Sequence, residues 1–153
     1  MITKSILLVE DNLSDIELTK RAFERAQLLN PLVIVRDGQE ALEYLLCEGA
    51  YKDRNPNEMP ALVLLDIKLP KKDGLTVLRS IRQHPLTSRL LVVMLTSSIE
   101  EKDIADSYDF GANSYIRKPV DFIEFTEVLN AIGLYWLVMN EIPPMHTSSH
   151  LNP

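Results

Sequence analysis

The chain has 153 residues, which suits one domain and leaves little room for a second. Apolar residues make up 46% and charged residues 25%, and the net charge of -6 argues against nucleic acid as a partner, because phosphate backbones attract basic surfaces. The single cysteine, Cys47, rules out a disulfide within the chain, so we expect a buried thiol and a reducing, cytoplasmic location. We expect no signal peptide and no membrane insertion, since no apolar run reaches roughly 18 residues.

Five short apolar runs predict five β-strands. In chain order they are Ser5–Glu10, Leu32–Arg36, Ala61–Asp66, Leu90–Thr96 and Ser114–Arg117. The first, third and fourth runs are continuously apolar, which is typical of strands buried on both faces of a parallel sheet. Helical signals lie between the runs, so strands and helices alternate, and this order indicates an α/β fold with helices on both faces of the sheet.

Each predicted helix has a start signal. Capping-box patterns, in which a capping residue precedes a glutamate by three positions, begin at Ser14, Asp37, Ser98 and Asp121. Asp73-Gly74 opens the remaining helix, which should stop before Pro85. The connection Gly49–Pro60 is long for a structureless loop, and it is either a tolerated surface insertion or a partner contact.

Reactive side chains stand at the predicted carboxyl ends of four strands, where sites form in open α/β sheets. They are Glu10, Asp11, Asp66, Thr96 and Lys118. Three crowded carboxylates repel one another unless a cation compensates them, and oxygen ligands suit Mg²⁺. A carboxylate can also act as a nucleophile and form an aspartyl phosphate. Taken singly, each residue has a structural alternative, so the prediction depends on the joint pattern. Glu10 and Asp11 could cap the first helix, Asp66 could form a turn, Thr96 could be a simple strand residue and Lys118 could be a surface lysine.

The pattern resembles the receiver domain of bacterial two-component response regulators. The matching segments are Leu8–Asn12, Leu64–Pro70, Asp73-Gly74, Leu95–Ser97 and Lys118-Pro119, and the resemblance covers about residues 4–135. It implies a flavodoxin-like, doubly wound (βα)5 fold with strand order 2-1-3-4-5. It also implies a phosphorelay protein, not a turnover enzyme, that takes a phosphoryl group from a sensor histidine kinase in a Mg²⁺-dependent reaction and signals by conformational change.

The resemblance implies the roles of the reactive residues. Asp66 would be the phosphoacceptor, supported by Lys118 and Thr96. The Mg²⁺ ligands would be Asp11, Asp66, the backbone carbonyl of Lys68 and, through water, Glu10, which stands where aspartate is commoner.

Two conformational features are implied in the same way. Thr96 and Tyr115 would form the switch that follows phosphorylation, and the Lys118–Pro119 peptide would be cis. Lys68 and Ser98 would tune the lifetime of the phosphoryl group, unless they are only a solvated lysine and a helix cap.

The last predicted helix runs from Asp121 towards Asn140, within a domain of residues 1–140 that is followed by a loose tail, 141–153, and no output domain. Its segment Leu134–Met139 is apolar on all sides, and exposed apolar patches usually mark interfaces. We therefore expect a homodimer, the alternative being that this segment folds back onto its own domain. The expected interface residues are Phe122, Leu134, Tyr135, Trp136 and Val138.

This ending and the Gly49–Pro60 loop together resemble the small response regulators that partner cyanobacterial phytochromes, which implies a phytochrome-type kinase as the phosphoryl donor. Competing interpretations are weaker. A haloacid-dehalogenase-type hydrolase would carry a second aspartate where Lys68 stands, and a flavodoxin-like electron carrier would carry a phosphate-binding loop where Glu10 and Asp11 stand. A receiver fold kept only as a scaffold would not need Asp11, Asp66, Thr96 and Lys118.

Overall fold

The computed structural model describes residues 4–97, 100–118 and 121–132. Over these ranges strands and helices alternate. The strands are β1 Ile6–Val9, β2 Leu32–Val35, β3 Leu62–Leu65, β4 Val92–Thr96 and β5 Ser114–Arg117. The α-helices are α1 Leu13–Arg25, α2 Gly38–Leu46, α3 Gly74–Gln83, α4 Glu101–Asp109 and α5 Phe122–Ile132. Within these ranges no helix has the length and hydropathy needed to cross a bilayer.

The strands form one parallel sheet in the order β2-β1-β3-β4-β5, as predicted. The chain leaves β1 towards one edge of the sheet and returns to build the other edge from β3, so the direction of winding reverses between β1 and β3. The carboxyl ends of these two strands are therefore neighbours at the point where doubly wound sheets bind ligands. β1, β3 and β4 are buried along their whole length, which explains their continuously apolar sequences.

Two apolar cores lie on the two faces of the sheet. Successive side chains of a strand point to opposite faces, so Leu7 and Val9 face α2 and α3, whereas Ile6 and Leu8 face α1 and α5. This arrangement covers both faces and leaves the edge formed by the carboxyl ends of the strands as the open place for a site.

The helix starts follow the predicted caps in three cases. Asp37, Asp73 and Asp121 each accept a hydrogen bond from the backbone N–H three residues later. The prediction for α1 was wrong: Asn12, not Ser14, is the cap, and its side chain accepts from the N–H of Asp15 at 3.0 Å. The helix begins earlier because the chain turns directly at the end of β1.

Two further expectations need correction. The residue before α4 is Glu100, which makes no capping hydrogen bond, and the predicted cap Ser98 lies outside the described residues. Cys47 is only half-buried, because it ends α2 in the left-handed conformation with φ of 56° instead of packing into the core.

The Gly49–Pro60 connection is folded instead of structureless. It starts with a short 3₁₀ helix, Gly49–Tyr51, and is organised around Arg54. The Arg54 guanidinium donates to the carbonyl of Tyr44 at 2.7 Å and to that of Glu58 at 2.6 Å, and it stacks on the Tyr44 ring at 4.3 Å. The hydrogen bonds of one arginine side chain thus hold this connection in place, where a helix or a strand would use backbone hydrogen bonds.

Only glycine fits at position 74, where the chain passes from β3 into α3. The N–H of Gly74 donates to the carbonyl of Ile67 at 2.6 Å, and an added Cβ would overlap the carbonyl oxygen of Asp66. Glycine to alanine near a helix start usually stabilises a protein by up to about 1 kcal/mol. We expect Gly74→Ala instead to lower the free energy of unfolding by about 2 kcal/mol, since the Asp66 backbone must shift.

Urea denaturation of the purified variant measures this effect. Thr76→Ala, an exposed substitution on the same helix, is the matched control and should leave stability nearly unchanged. A Gly74→Ala variant as stable as the wild type would show that the close approach to Asp66 does not constrain this turn.

Candidate functional site

The backbone places the reactive residues by extending the sheet one residue beyond its strands. The N–H of Asp66, directly after β3, donates to the carbonyl of Val9 at 3.1 Å, and the N–H of Glu10 donates to that of Val35 at 3.1 Å. On the other side of the sheet the N–H of Lys118 donates to the Thr96 carbonyl at 2.7 Å. These ladder bonds bring residues from β1, β3, β4 and β5 to one edge.

Three carboxylates lie close together at this edge of the sheet. One oxygen from each of Glu10, Asp11 and Asp66 lies within 4.8 Å of the others. Glu10 and Asp66 are buried and Asp11 is half-buried, while Arg36 fixes the backbone of Asp11 by donating to its carbonyl at 2.8 Å. An all-oxygen donor set of this charge fits a hard divalent cation such as Mg²⁺. Glu10, Asp11 and Asp66 together supply the donor set that such a cation requires.

A buried ammonium, that of Lys118, lies beside the carboxylates. Lys118 Nζ donates to Glu10 Oε1 at 2.6 Å, to Asp15 Oδ2 at 2.8 Å and to Asp66 Oδ2 at 3.3 Å. The sequence predicted the meeting of Lys118 with Asp66 and Glu10 but missed Asp15. A signal was available, because side chains in the first turn of a helix tilt towards its N-terminus, and α1 starts at the edge of the sheet that carries the site.

Protonation in the site reflects burial and charge. Burial is the largest influence on Glu10 and raises the pKa of its carboxyl from 4.5 to about 7; the charge of Asp66 adds to this, and the hydrogen bond from Lys118 opposes it. Burial by itself would lower the pKa of the Lys118 ammonium, but its hydrogen bonds to Asp15 and Glu10 and the charge of Asp66 outweigh burial, so that pKa is raised. Lys118 therefore remains a cation at neutral pH.

Asp66 has one oxygen held and one oxygen unpartnered. Its Oδ2 accepts from Lys118, whereas its Oδ1 is buried and has no hydrogen-bond partner among the described residues. A buried carboxylate oxygen without a partner is unfavourable by roughly 1–3 kcal/mol or more. Such an atom at a carboxylate cluster is the natural position for a cation or an electrophile to bind.

The remaining predicted residues occupy different places. Thr96 is fully buried at the end of β4, and Tyr115 on β5 packs, half-buried, against the core on the α2 and α3 side. Lys68 is exposed in the loop after β3. Phe122 is half-buried against the core on the α1 and α5 side. Their assigned roles stay predictions.

Several predicted features lie outside the described residues. They are the Lys118–Pro119 peptide and the interface residues Leu134, Tyr135, Trp136 and Val138.

The chain has clear relatives. The family model of the response regulator receiver domain matches residues 6–130. The response regulator Rcp1 of Synechocystis sp. is 36% identical over 140 residues, which cover 92% of this chain and 93% of Rcp1. The crystal structure of the Mn²⁺-bound form of Rcp1 matches with a TM-score of 0.80 and 36% identity, covering 92% of this chain and 99% of that one.

Two other solved structures are similarly close. The phosphorylated cyanobacterial phytochrome response regulator RcpA matches with a TM-score of 0.82 and 40% identity, covering 94% of this chain and 100% of RcpA. The bacteriophytochrome response regulator RtBRR matches with a TM-score of 0.77 and 48% identity, covering 94% of this chain and 86% of RtBRR. These matches extend well beyond the strand-end motifs.

Proposed function

Since the chain belongs to the response regulator receiver domain family, we propose that it is a phosphorelay protein that accepts a phosphoryl group on Asp66 and signals by a change in its own conformation. The main support for this proposal is the arrangement around the two carboxylate oxygens of Asp66. Among the described residues one of these oxygens is buried without a hydrogen-bond partner, and the other accepts a hydrogen bond from Lys118. This is the geometry of a positioned nucleophile whose charge is balanced from one side.

The reaction is a transfer between two proteins' side chains. An Asp66 oxygen attacks the phosphorus of a phosphohistidine, the new O–P bond forms, and the P–N bond breaks and returns its electrons to the donor imidazole. Lys118, which stays cationic, pairs with a phosphoryl oxygen and offsets the charge that develops in the transition state. The covalent product remains on the chain until water removes it, so the protein is a switch and not a turnover enzyme.

The cation site belongs to the same constellation. Asp11, Asp66 and the carbonyl of Lys68 would hold Mg²⁺ directly, and Glu10 would do so through water. When bound, the cation supplies positive charge to the carboxylates and to the incoming phosphoryl oxygens. The position of Glu10 agrees with this division, because one of its oxygens already accepts from Lys118 at 2.6 Å and the other accepts from the N–H of Asn12 at 3.3 Å.

Thr96 and Tyr115 are our proposed conformational switch. Thr96 ends β4 next to the strand end that carries Asp66, so a small movement would bring its hydroxyl to a phosphoryl oxygen. Tyr115 is paired with Met94 on the neighbouring strand and is half-buried, and in our proposal its ring turns inwards when Thr96 moves. The resulting surface would lie at the β4–β5 side of the domain.

The phosphoryl donor we propose is a phytochrome-type histidine kinase in the cytoplasm. The support is the similarity to RcpA, a phytochrome response regulator, and to RtBRR, a bacteriophytochrome response regulator, both over 94% of this chain. We further propose a homodimer, because the sequence Leu134–Met139 is apolar on all sides.

The chemistry is tested first with a small-molecule phosphodonor and Mg²⁺. We expect intact-mass spectrometry to show a gain of one phosphoryl group, which a metal chelator prevents. The absence of any gain in protein that circular dichroism shows to be folded would favour the scaffold interpretation. Sedimentation velocity on the same samples reports whether the protein is a dimer and whether phosphorylation changes its assembly.

A further inference from the structure

The acceptors of Lys118 fall into two groups. An ammonium has three hydrogens, and here three carboxylates accept them. Glu10 and Asp66 belong to the cluster that fits a divalent cation, whereas Asp15 is not a member of that cluster and lies in the first turn of α1. Lys118 thus joins the metal-binding carboxylates to one acid that is not among them.

Lys118 and a divalent cation share two carboxylates, Glu10 and Asp66, although the ammonium contacts only Oδ2 of Asp66 and leaves Oδ1 open. Both are positive, so an ion that enters the cluster repels the ammonium and weakens its attraction to these carboxylates. Asp15 is the remaining acceptor, and its bond to Lys118 is already short, at 2.8 Å. An ammonium that donates to Asp15 keeps a hydrogen-bond partner when a cation occupies the cluster, and it is not left as an unpaired buried charge.

Asp15 is fixed well enough to do this. Its N–H donates to the Asn12 side chain at 3.0 Å, and its carbonyl accepts from the Thr19 hydroxyl at 2.8 Å. Its side chain keeps 30% exposure, so the charge remains solvated when Lys118 moves. The position is therefore set by the start of α1 and does not depend on the cluster.

We infer that Asp15 is a positioning residue that gives the Lys118 ammonium an acceptor outside the carboxylate cluster when a divalent cation occupies that cluster, and thereby strengthens divalent cation binding. The inference rests on the cation site of the proposed function. The competing explanation is that Asp15 only complements the positive end of the α1 dipole, as acids in first helical turns commonly do. In that case Asp15 acts by charge alone, and Lys118 is irrelevant to its effect.

A double-mutant cycle on Mg²⁺ affinity separates the two explanations. Calorimetric titration with Mg²⁺ alone is made on the wild type, Asp15→Asn, Lys118→Met and the double variant. We expect Asp15→Asn to raise the Kd for Mg²⁺ about fivefold in the presence of Lys118 and less than about twofold in its absence. Urea unfolding of all four proteins establishes that each is folded at the temperature of titration.

Glu17→Gln is the matched control. It removes one charge from the same helix, but Glu17 is 64% exposed and pairs with Lys20 instead of Lys118. We expect its Kd to equal that of the wild type within error. Equal effects of Asp15→Asn in the two Lys118 backgrounds would overturn the positioning role and leave the cation site standing. A wild type that binds no Mg²⁺ would overturn the cation site and the inference together.

Discussion

Asp66→Asn is expected to abolish phosphorylation and to leave the fold intact. The amide has the shape of the carboxylate but lacks the anionic oxygen that attacks phosphorus, so incorporation should fall below about 1% of the wild-type level. The fold should tolerate the change, because one of three crowded carboxylates becomes neutral. Stability in the absence of a cation should therefore stay equal or rise. Intact-mass spectrometry after treatment with phosphodonor and Mg²⁺ measures the first effect, and urea denaturation measures the second.

The matched control is Asp53→Asn, which makes the same chemical change at an exposed aspartate of the Gly49–Pro60 connection. It should be phosphorylated to the wild-type extent. Phosphorylation of Asp66→Asn to that extent would remove the phosphoacceptor assignment. Loss of phosphorylation in both variants would point to an effect unrelated to the site.

Lys118→Met should weaken both the stability of the cation-free protein and phosphoryl transfer. The ammonium is the shared partner of Glu10, Asp15 and Asp66, and methionine fills a similar volume without charge. Removing one partner of a buried ion pair commonly destabilises by roughly 3–5 kcal/mol. We expect about 2 kcal/mol here, because Glu10, whose pKa is already raised to about 7, can take up a proton in response.

Lys118→Met should lower the rate of phosphorylation more, in terms of free energy, than it lowers the free energy of unfolding. A buried charge aimed at the phosphoryl oxygens is worth on the order of 10²-fold or more in rate, so phosphorylation by a small-molecule donor should slow by at least that factor. Stopped-flow or timed mass spectrometry gives the rate, and urea denaturation in a chelator gives the stability.

Lys71→Met serves as the control for Lys118→Met, since Lys71 is 67% exposed and forms a surface pair with Asp37 at 3.6 Å. It should change neither quantity appreciably. A Lys118→Met protein that is phosphorylated at the wild-type rate would show that the lysine is only a counter-ion for the resting site.

The sequence by itself determined the strands, their order of connection and the residues at their ends. Continuous apolar runs at β1, β3 and β4 can be buried only within a sheet that is covered on both faces, and this requirement fixed the α/β class. Once the strands are parallel, their carboxyl ends must meet at one edge. Glu10, Asp66, Thr96 and Lys118 were therefore predictable as neighbours, although the strand order itself came from the family resemblance.

Only the tertiary structure decided which groups pair within that edge. Asp15 and Lys118 are 103 positions apart. The start of α1 at the site edge places Asp15 near the site, but its pairing with Lys118 depends on how α1 packs beside the end of β5. The same is true of Arg54, whose hydrogen bonds reach back to α2 and turn a long connection into a folded one. Local periodicity encodes which face of an element is apolar, whereas the pairing of polar side chains depends on how helices are placed against the sheet, and that placement is set by packing of the whole core.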